Sequence, residues 1–284
     1  MAKTKIHVGA AIGRWAIRIF LIVWAVITLF PLIWTFYTSF KTNREFLNDP
    51  WGFPAKLQWE NYSYAWSASN MSSFFGNSVF LVLVTLILTL VMATTTAYIL
   101  AKYRHAFIRF LEKLYIVFMV IPQILLLVPL YFMCLSMNLT DNLFVLSLLY
   151  ALQGLPFLIT LLVPFLKGIN DSLFEAAKID GGNEFLIFFR IVVPLSLPAI
   201  GIVIIMNVVG TWNEFSMALT FIKDSSKYTI PIGINYLSGS TKQGAKYVEL
   251  FAGLVIALIP ILIVYGIFQK QLQNGLSSAD GVKG

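Results

Sequence analysis

Six long windows without a charged residue constrain this chain more than any other feature. They run over 19–40, 79–101, 114–140, 142–166, 191–213 and 250–269. About 20 apolar residues at 1.5 Å rise cross the hydrocarbon core of a bilayer, so each window reads as a transmembrane helix. The third and fourth are parted only by Asp141, in the run Met137-Asn138-Leu139-Thr140-Asp141-Asn142, which predicts a tight turn. Pro31, Pro122, Pro129, Pro156, Pro164 and Pro260 fall inside windows, where neighbouring helices can re-satisfy the freed backbone groups. Composition agrees. Hydrophobic residues make up 58% of the 284 and charged residues 12%, against the roughly 25% charge of a soluble domain. Disordered, collagenous and disulfide-stapled secreted classes are excluded too. The single Cys134 has no intrachain partner and sits in an apolar run, as a small buried thiol does. The expected fold class is all-α, a polytopic membrane protein with six transmembrane helices.

The net charge of +7 is a matter of topology. Six spans put both termini on one side. That side holds Lys3, Lys5, Arg14 and Arg18, then Lys102, Arg104, Arg109 and Lys113, then Lys167, Lys178 and Arg190, then Lys270 and Lys283. Lys41, Arg44, Lys56, Lys223, Lys227, Lys242 and Lys246 fall on the other. Thirteen against seven predicts both termini in the cytoplasm of a multi-pass plasma or inner membrane protein. With the charge so explained, and no basic groove or recognition motif, nucleic acid is not an expected partner. The first apolar core is too long for a signal peptide and reads as a retained anchor.

Two outer segments follow, about 41–76 and 223–247. The first carries Trp51, Trp59, Tyr62, Tyr64 and Trp66, either an interfacial aromatic belt or a docking surface for an external partner. The second, with Gly233, Ser238, Gly239, Ser240 and Gly244, reads as a flexible polar loop.

The densest polar signal lies between spans four and five, from Asn170 to Phe185. Ser172 and Glu175 have capping-box spacing. Gly181 and Gly182 can supply a left-handed helix end. Asn183 can cap a second helix, running toward Arg190 and stopping before Pro194 and Pro198. Leu173, Phe174, Ala176 and Ala177 alternate with Glu175, Lys178 and Asp180. Such a helix suits a lever docked in a partner's groove, or a structural loop packed on its own bundle.

Glu175-Ala176-Ala177, three residues, Gly181, nine residues, then Ile191-x-Val193-Pro194 resembles the EAA loop of binding-protein-dependent ABC importer permeases, with Val193 where Leu is usual. Asp180-Gly181 fits that family's Ile-Asp-Gly. The likeness covers almost the whole chain. Trp212-Asn213-Glu214-Phe215 with Ala218-Leu219 is similar to the fifth span of carbohydrate-importer permeases. Pro54-x-x-Leu57-x-Trp59-x-Asn61-Tyr62 is similar to their first external loop, and the tail from Gly275 to Gly284 resembles the C-terminus of the smaller permease subunit of maltose-type importers. One departure is Asn170-Asp171-Ser172, where many relatives have Ile-Pro.

The resemblance implies a type I ABC importer permease fold. Residues 1–76 would form the arm, first span and first outer loop. Residues 77–272 would form a five-helix core with its coupling loop at 170–198, and 273–284 the cytoplasmic tail. It implies a heterodimer with a second homologous permease, a cytoplasmic ATPase dimer, and an extracytoplasmic sugar-binding protein that touches the outer loops. Glu175, Ala176, Ala177, Asp180 and Gly181 would couple to the ATPase, and Gly281, Val282, Lys283 and Gly284 would reach it as well. The chain itself has no phosphate-cradling Gly-Lys motif, so ATP and Mg would be bound by the partner. No catalytic residue, metal ligand set or cofactor of its own is expected.

Glu214, the carboxylate well within a span, must face the bundle or a wet cavity. With Trp212 and Asn213 it could line a substrate pathway, an amide and carboxylate for hydroxyls and a ring for a pyranose face. Equally, it could make an interhelical hydrogen bond. Gln123 and Gln153 pose the same choice. A stand-alone channel or secondary transporter is the competing class, disfavoured because no inverted repeat is visible. Within the importer class a non-sugar solute such as a glycerol phosphate stays open.

Overall fold

The computed structural model describes residues 8–68, 70–244 and 246–280, with the side chains of 8–12, 68, 240–244 and 272–280 left aside. Among the described residues the fold is entirely helical. The N-terminal part is α1 (Val8–Thr38), α2 (Asn43–Asn48) and α3 (Glu60–Ser63), the last continuing as a π turn over Tyr64–Ala68. Then come α4 (Met71–Lys102), α5 (Ala106–Val120), a 3₁₀ turn Gln123–Leu126 running into α6 (Leu127–Ser136), and α7 (Leu143–Lys167). The loop region holds α8 (Asp171–Ile179), α9 (Glu184–Ile187), a π turn Phe188–Val192 and α10 (Val193–Leu195). The chain ends with α11 (Leu197–Asn213), α12 (Ser216–Phe221), α13 (Ile230–Gly244) and α14 (Tyr247–Asp280).

Among the described residues, four helices are long and apolar enough to cross a membrane unbroken, within α1, α4, α7 and α14. Two further spans are broken. Ala106–Val120 and Gln123–Ser136 meet at 90°, and Glu184–Leu195 and Leu197–Asn213 at 76°. Counting each bent pair once gives six. The third window, read from sequence as one helix, is therefore interrupted, and its physical cause is Pro122. That proline has no amide to continue the ladder and holds Ile121 extended, at ψ 120.

The chain divides into two compact units. One comprises the N-terminal stretch through Ser69 together with Tyr236–Ile256. In it the segment after α1 folds back on the end of that helix. Asn61 donates its amide to Ser39 O (2.7 Å) and Lys41 O (2.8 Å), Tyr62 and Ser39 share a hydroxyl contact of 2.6 Å, and the buried Lys41 donates to Asp49 O at 2.7 Å. Thr42 and Glu45 form the capping box of α2.

The other unit, Asn70–Asn235 with the stretch from Ala257, holds the cores. α4 packs along α7 through Leu81, Thr85, Thr89, Ala93 and Ala97, one buried residue per turn and mostly small. Small side chains let two helix backbones approach, which replaces the hydrophobic driving force that lipid removes. Thr85 Oγ1 donates to Ser147 O (3.3 Å), and Asn207 of α11 donates to Thr89 Oγ1 (3.1 Å). The turn before α7 is as tight as its sequence predicts, with Asn138 and Asp141 at φ 56 and 57. The Asp141 carboxylate accepts from the Lys223 and Asp224 amides and from Lys227 Nζ, each at 3.0 Å.

The segment 223–247 differs from the flexible loop expected of it. Most of it is α13, because Ile230 and Ile232 bury their side chains and Ser78 Oγ accepts the Ile230 amide at 2.9 Å.

Candidate functional site

The region 170–198 is two helices on a glycine turn. α8 starts two residues earlier than the Ser172–Glu175 spacing suggests. Asn170 is the cap, its side chain accepting from the Ser172 amide at 3.1 Å. An Asx side chain two residues upstream outcompetes the serine. The far end is a Schellman turn. Gly182 N–H reaches Ala177 O (2.8 Å), Gly181 N–H reaches Lys178 O (3.0 Å), and Gly181 sits at φ +81. Gly182 is needed for a second reason. A Cβ there would stand 2.7 Å from the Ala177 carbonyl oxygen. Asn183 caps α9 by accepting the Leu186 amide at 2.8 Å. The second helix does not stop before Pro194 as its sequence suggests. The chain widens into a π turn, with Val193 N–H on Phe188 O, and bends only at Ser196.

Phe174 is buried among Tyr98, Ile187 and the other residues at this end of the bundle, and Ala177 packs beside it. That fixes the opposite face outward. Leu173, Glu175, Ala176, Ile179 and Asp180 are exposed, Ile179 at 86%. Phe185 and Phe189, in ring contact at 4.6 Å, are exposed on the following segment.

A residue that sequence reasoning passed over holds the loop in place. Glu184 accepts from Tyr98 OH (2.9 Å) and Lys102 Nζ (3.4 Å) of α4, and pairs with Lys178 Nζ of α8 at 2.8 Å. Lys102 Nζ also stands over the Phe174 ring at 4.4 Å. The Lys178 hydrogen bond leads the Tyr98 and Lys102 contacts in outweighing burial. Together they hold the Glu184 carboxyl down at about 2. The only signal in the sequence was a lysine at a span end and a glutamate after two glycines, 82 residues apart.

The membrane residues part company. Trp212 is buried, its indole N–H donating to Ala257 O (3.0 Å) and its ring edge-on to Phe75. Asn213 is exposed and its amide returns to Val209 O of its own helix at 2.9 Å. Glu214 sits at the break between α11 and α12. Its carboxylate accepts from the Met217 amide (2.8 Å), the Ala218 amide (3.0 Å) and Tyr150 OH (2.5 Å). It thus caps α12 and ties it to α7, the structural side of the choice posed above. It also borders a cavity of about 280 Å³, with Gln123, Gln153, Asn207 and Thr211 on the same lining. Gln123 reaches there because the broken third segment turns it inward, its amide on Gln153 O at 3.3 Å. The tail residues Gly281, Val282, Lys283 and Gly284 lie outside the described residues. No group of three or more metal-ligating side chains occurs among the described residues.

The aromatics of the 41–76 segment are partly tied into the first unit. The Trp34 indole donates to Pro50 O and Tyr37 OH to Trp51 O, each at 3.0 Å, while Phe40 meets Trp59 edge-on at 4.9 Å. Trp51, Phe53 and Trp59 nonetheless leave most of their surface exposed.

A helical, multiply spanning chain with a capped helix pair projecting between its fourth and fifth spans is the architecture of a transport permease. The chain belongs to the family of binding-protein-dependent transport system inner membrane components, which it matches over residues 93–278. Among its relatives, the diacetylchitobiose uptake system permease protein NgcG of Streptomyces coelicolor is 32% identical over 257 residues, 90% of this chain and 85% of that protein. The arabinooligosaccharides transport system permease protein AraQ of Bacillus subtilis is 29% identical over 283 residues, 96% of this chain and 97% of that one. In fold the chain is similar to a chain of a bacterial ABC transporter involved in the import of the acidic polysaccharide alginate. The TM-score is 0.77 at 19% identity, covering 95% of this chain and 98% of the other.

Proposed function

We propose that this chain is one membrane-spanning half of an ATP-driven importer for a di- or oligosaccharide. It works beside a second, homologous permease, receives its cargo from an extracytoplasmic binding protein, and is driven by a separate cytoplasmic ATPase dimer that binds ATP and Mg. The carrying observation is α8. This short helix is anchored on its inner face by Phe174, ends in a Schellman turn, and leaves Glu175, Ala176 and Asp180 exposed. Docked in an ATPase cleft, Glu175 would meet a basic group while Ala176 and Ala177 allow close approach and Gly181 sets the bend. The Glu184 tether to Tyr98 and Lys102 gives movement of that helix a direct path into α4. Rocking of the spans would then alternate access to a central cavity. The basic-residue asymmetry supports cytoplasmic termini and so puts α8 on the ATP side. The tail residues Gly281 to Gly284 would add a second ATPase contact. Relatives named for oligosaccharide uptake support the cargo class.

The test is uptake of labelled oligosaccharides by vesicles holding the chain with its partner permease and ATPase. Accumulation should require both ATP and the binding protein. Uptake driven by an ion gradient without ATP would make the chain a secondary transporter.

A further inference from the structure

The cavity inside the bundle carries a selectivity of its own. Resting on the reading above that the cargo is a saccharide, we infer that the wall of Gln123, Gln153, Asn207, Thr211 and Glu214 contacts the sugar directly and selects neutral, hydroxyl-rich units over acidic ones. Two polar groups of this wall are left over by the fold. Asn207 is more than nine-tenths buried. Its amide nitrogen is used by Thr89 Oγ1 at 3.1 Å, and its carbonyl oxygen has no partner. Gln153 Nε2 has none either. Buried polar groups are nearly always satisfied in a finished fold, so a donor and an acceptor left over on two residues that line one cavity point to a ligand that supplies both once those side chains turn to it. A sugar hydroxyl donates and accepts with one atom. The Thr211 hydroxyl and the Gln123 amide add neutral hydrogen-bonding capacity beside them.

The charge of the wall sets the sign of its preference. Glu214 is the one acidic group among the described lining residues, and no Lys, Arg or His joins it there. Its oxygens already hold two backbone amides and the Tyr150 hydroxyl. It therefore offers a solute little hydrogen bonding but keeps its negative field, which opposes a carboxylate, sulfonate or phosphate in a poorly screened site. At about 280 Å³ the cavity lies just under the usual range of complete small-molecule sites. It takes one sugar unit, and the rest of the cargo lies against the partner permease.

The experiment measures ATP-driven uptake by the assembled transporter in vesicles, with radiolabelled gluco-, arabino- and chito-disaccharides as neutral probes and uronic-acid disaccharides as acidic ones. The native transporter should accumulate a neutral probe at least tenfold faster than any acidic one. Gln153→Leu and the near-isosteric Thr211→Val should each lower the maximal rate for that probe several-fold to tenfold, the scale of one lost hydrogen bond. The half-saturating sugar concentration, set by the binding protein, should stay put. Co-purification with the ATPase shows that each variant has assembled, and two variants guard against one failing to fold. Unchanged maximal rates in assembled variants, or equal uptake of acidic probes, would overturn the selectivity while leaving the sugar importer standing. No uptake of any saccharide by the native transporter would overturn both.

Discussion

Glu184 shows how one side chain can hold a whole loop. It gathers a tyrosine and a lysine from α4 and a lysine from α8, and the carboxyl is depressed to about 2 because the Lys178 contact, with Tyr98 and Lys102, outweighs burial. A depressed acid stabilises the folded loop fully above its ordinary value near 4.5, and the contribution is lost as pH falls from there through about 2. Its side chain is 44% exposed, so solvent screening limits the effect to about 1 kcal/mol. Glu184→Gln should therefore raise amide exchange over 171–187 by roughly fivefold at pH 7. The difference from the native chain should shrink as the exchange is run at progressively lower pH. Glu214 has more at stake. Replacing it by Ala strips the Tyr150 hydroxyl and two amides of their acceptor in a buried setting, at about 2–4 kcal/mol. Thermal unfolding in detergent should register that as a clear loss of stability, with Glu214→Gln falling between.

At the scale of elements, the stripe Thr85, Thr89, Ala93 and Ala97 decides how closely α4 meets α7. Ala93→Leu would force the pair apart, at about 1–3 kcal/mol. The variant should lower the yield of folded protein in membranes, while the same change at exposed Val91 should not. What the sequence discloses of these elements follows from which forces are local. Uncharged length alone marks the membrane segments, and Gly181-Gly182 with Asn183 marks the helix-turn-helix. The start of α8 at Asn170 was less legible, because two neighbouring side chains compete for one cap. The break at Pro122 was hidden because prolines inside membrane helices are ordinarily tolerated. Two broken segments and three unbroken proline-bearing helices, α1, α7 and α14, look alike in hydropathy. α13 was misread for a related reason. Its serines and glycines read as loop residues, and what makes it a helix is the burial of Ile230 and Ile232. The cavity wall was half visible. Glu214, Gln123 and Gln153 stand out as polar residues in apolar windows, but only packing reveals that Trp212 turns away to Ala257 while Asn207 and Thr211 join them.

For the whole molecule, the parts form a connected series from the exposed face of α8 to the cavity. α8 presents an exposed face, Phe174 and Glu184 fasten it to α4, and α4 runs about 48 Å as one unbroken helix against α7 and α11. The cavity lies along that same pair, α7 and α11. Under the proposed function, a push at α8 would have a packed route through α4 to the residues that line the cavity. The most direct test reads ATP hydrolysis and sugar accumulation together in vesicles holding the complete transporter, with the native chain, Glu175→Lys and Gly181→Pro compared. The account predicts that both variants insert and assemble but lose at least nine-tenths of ATP-driven accumulation. Native accumulation by both would contradict it.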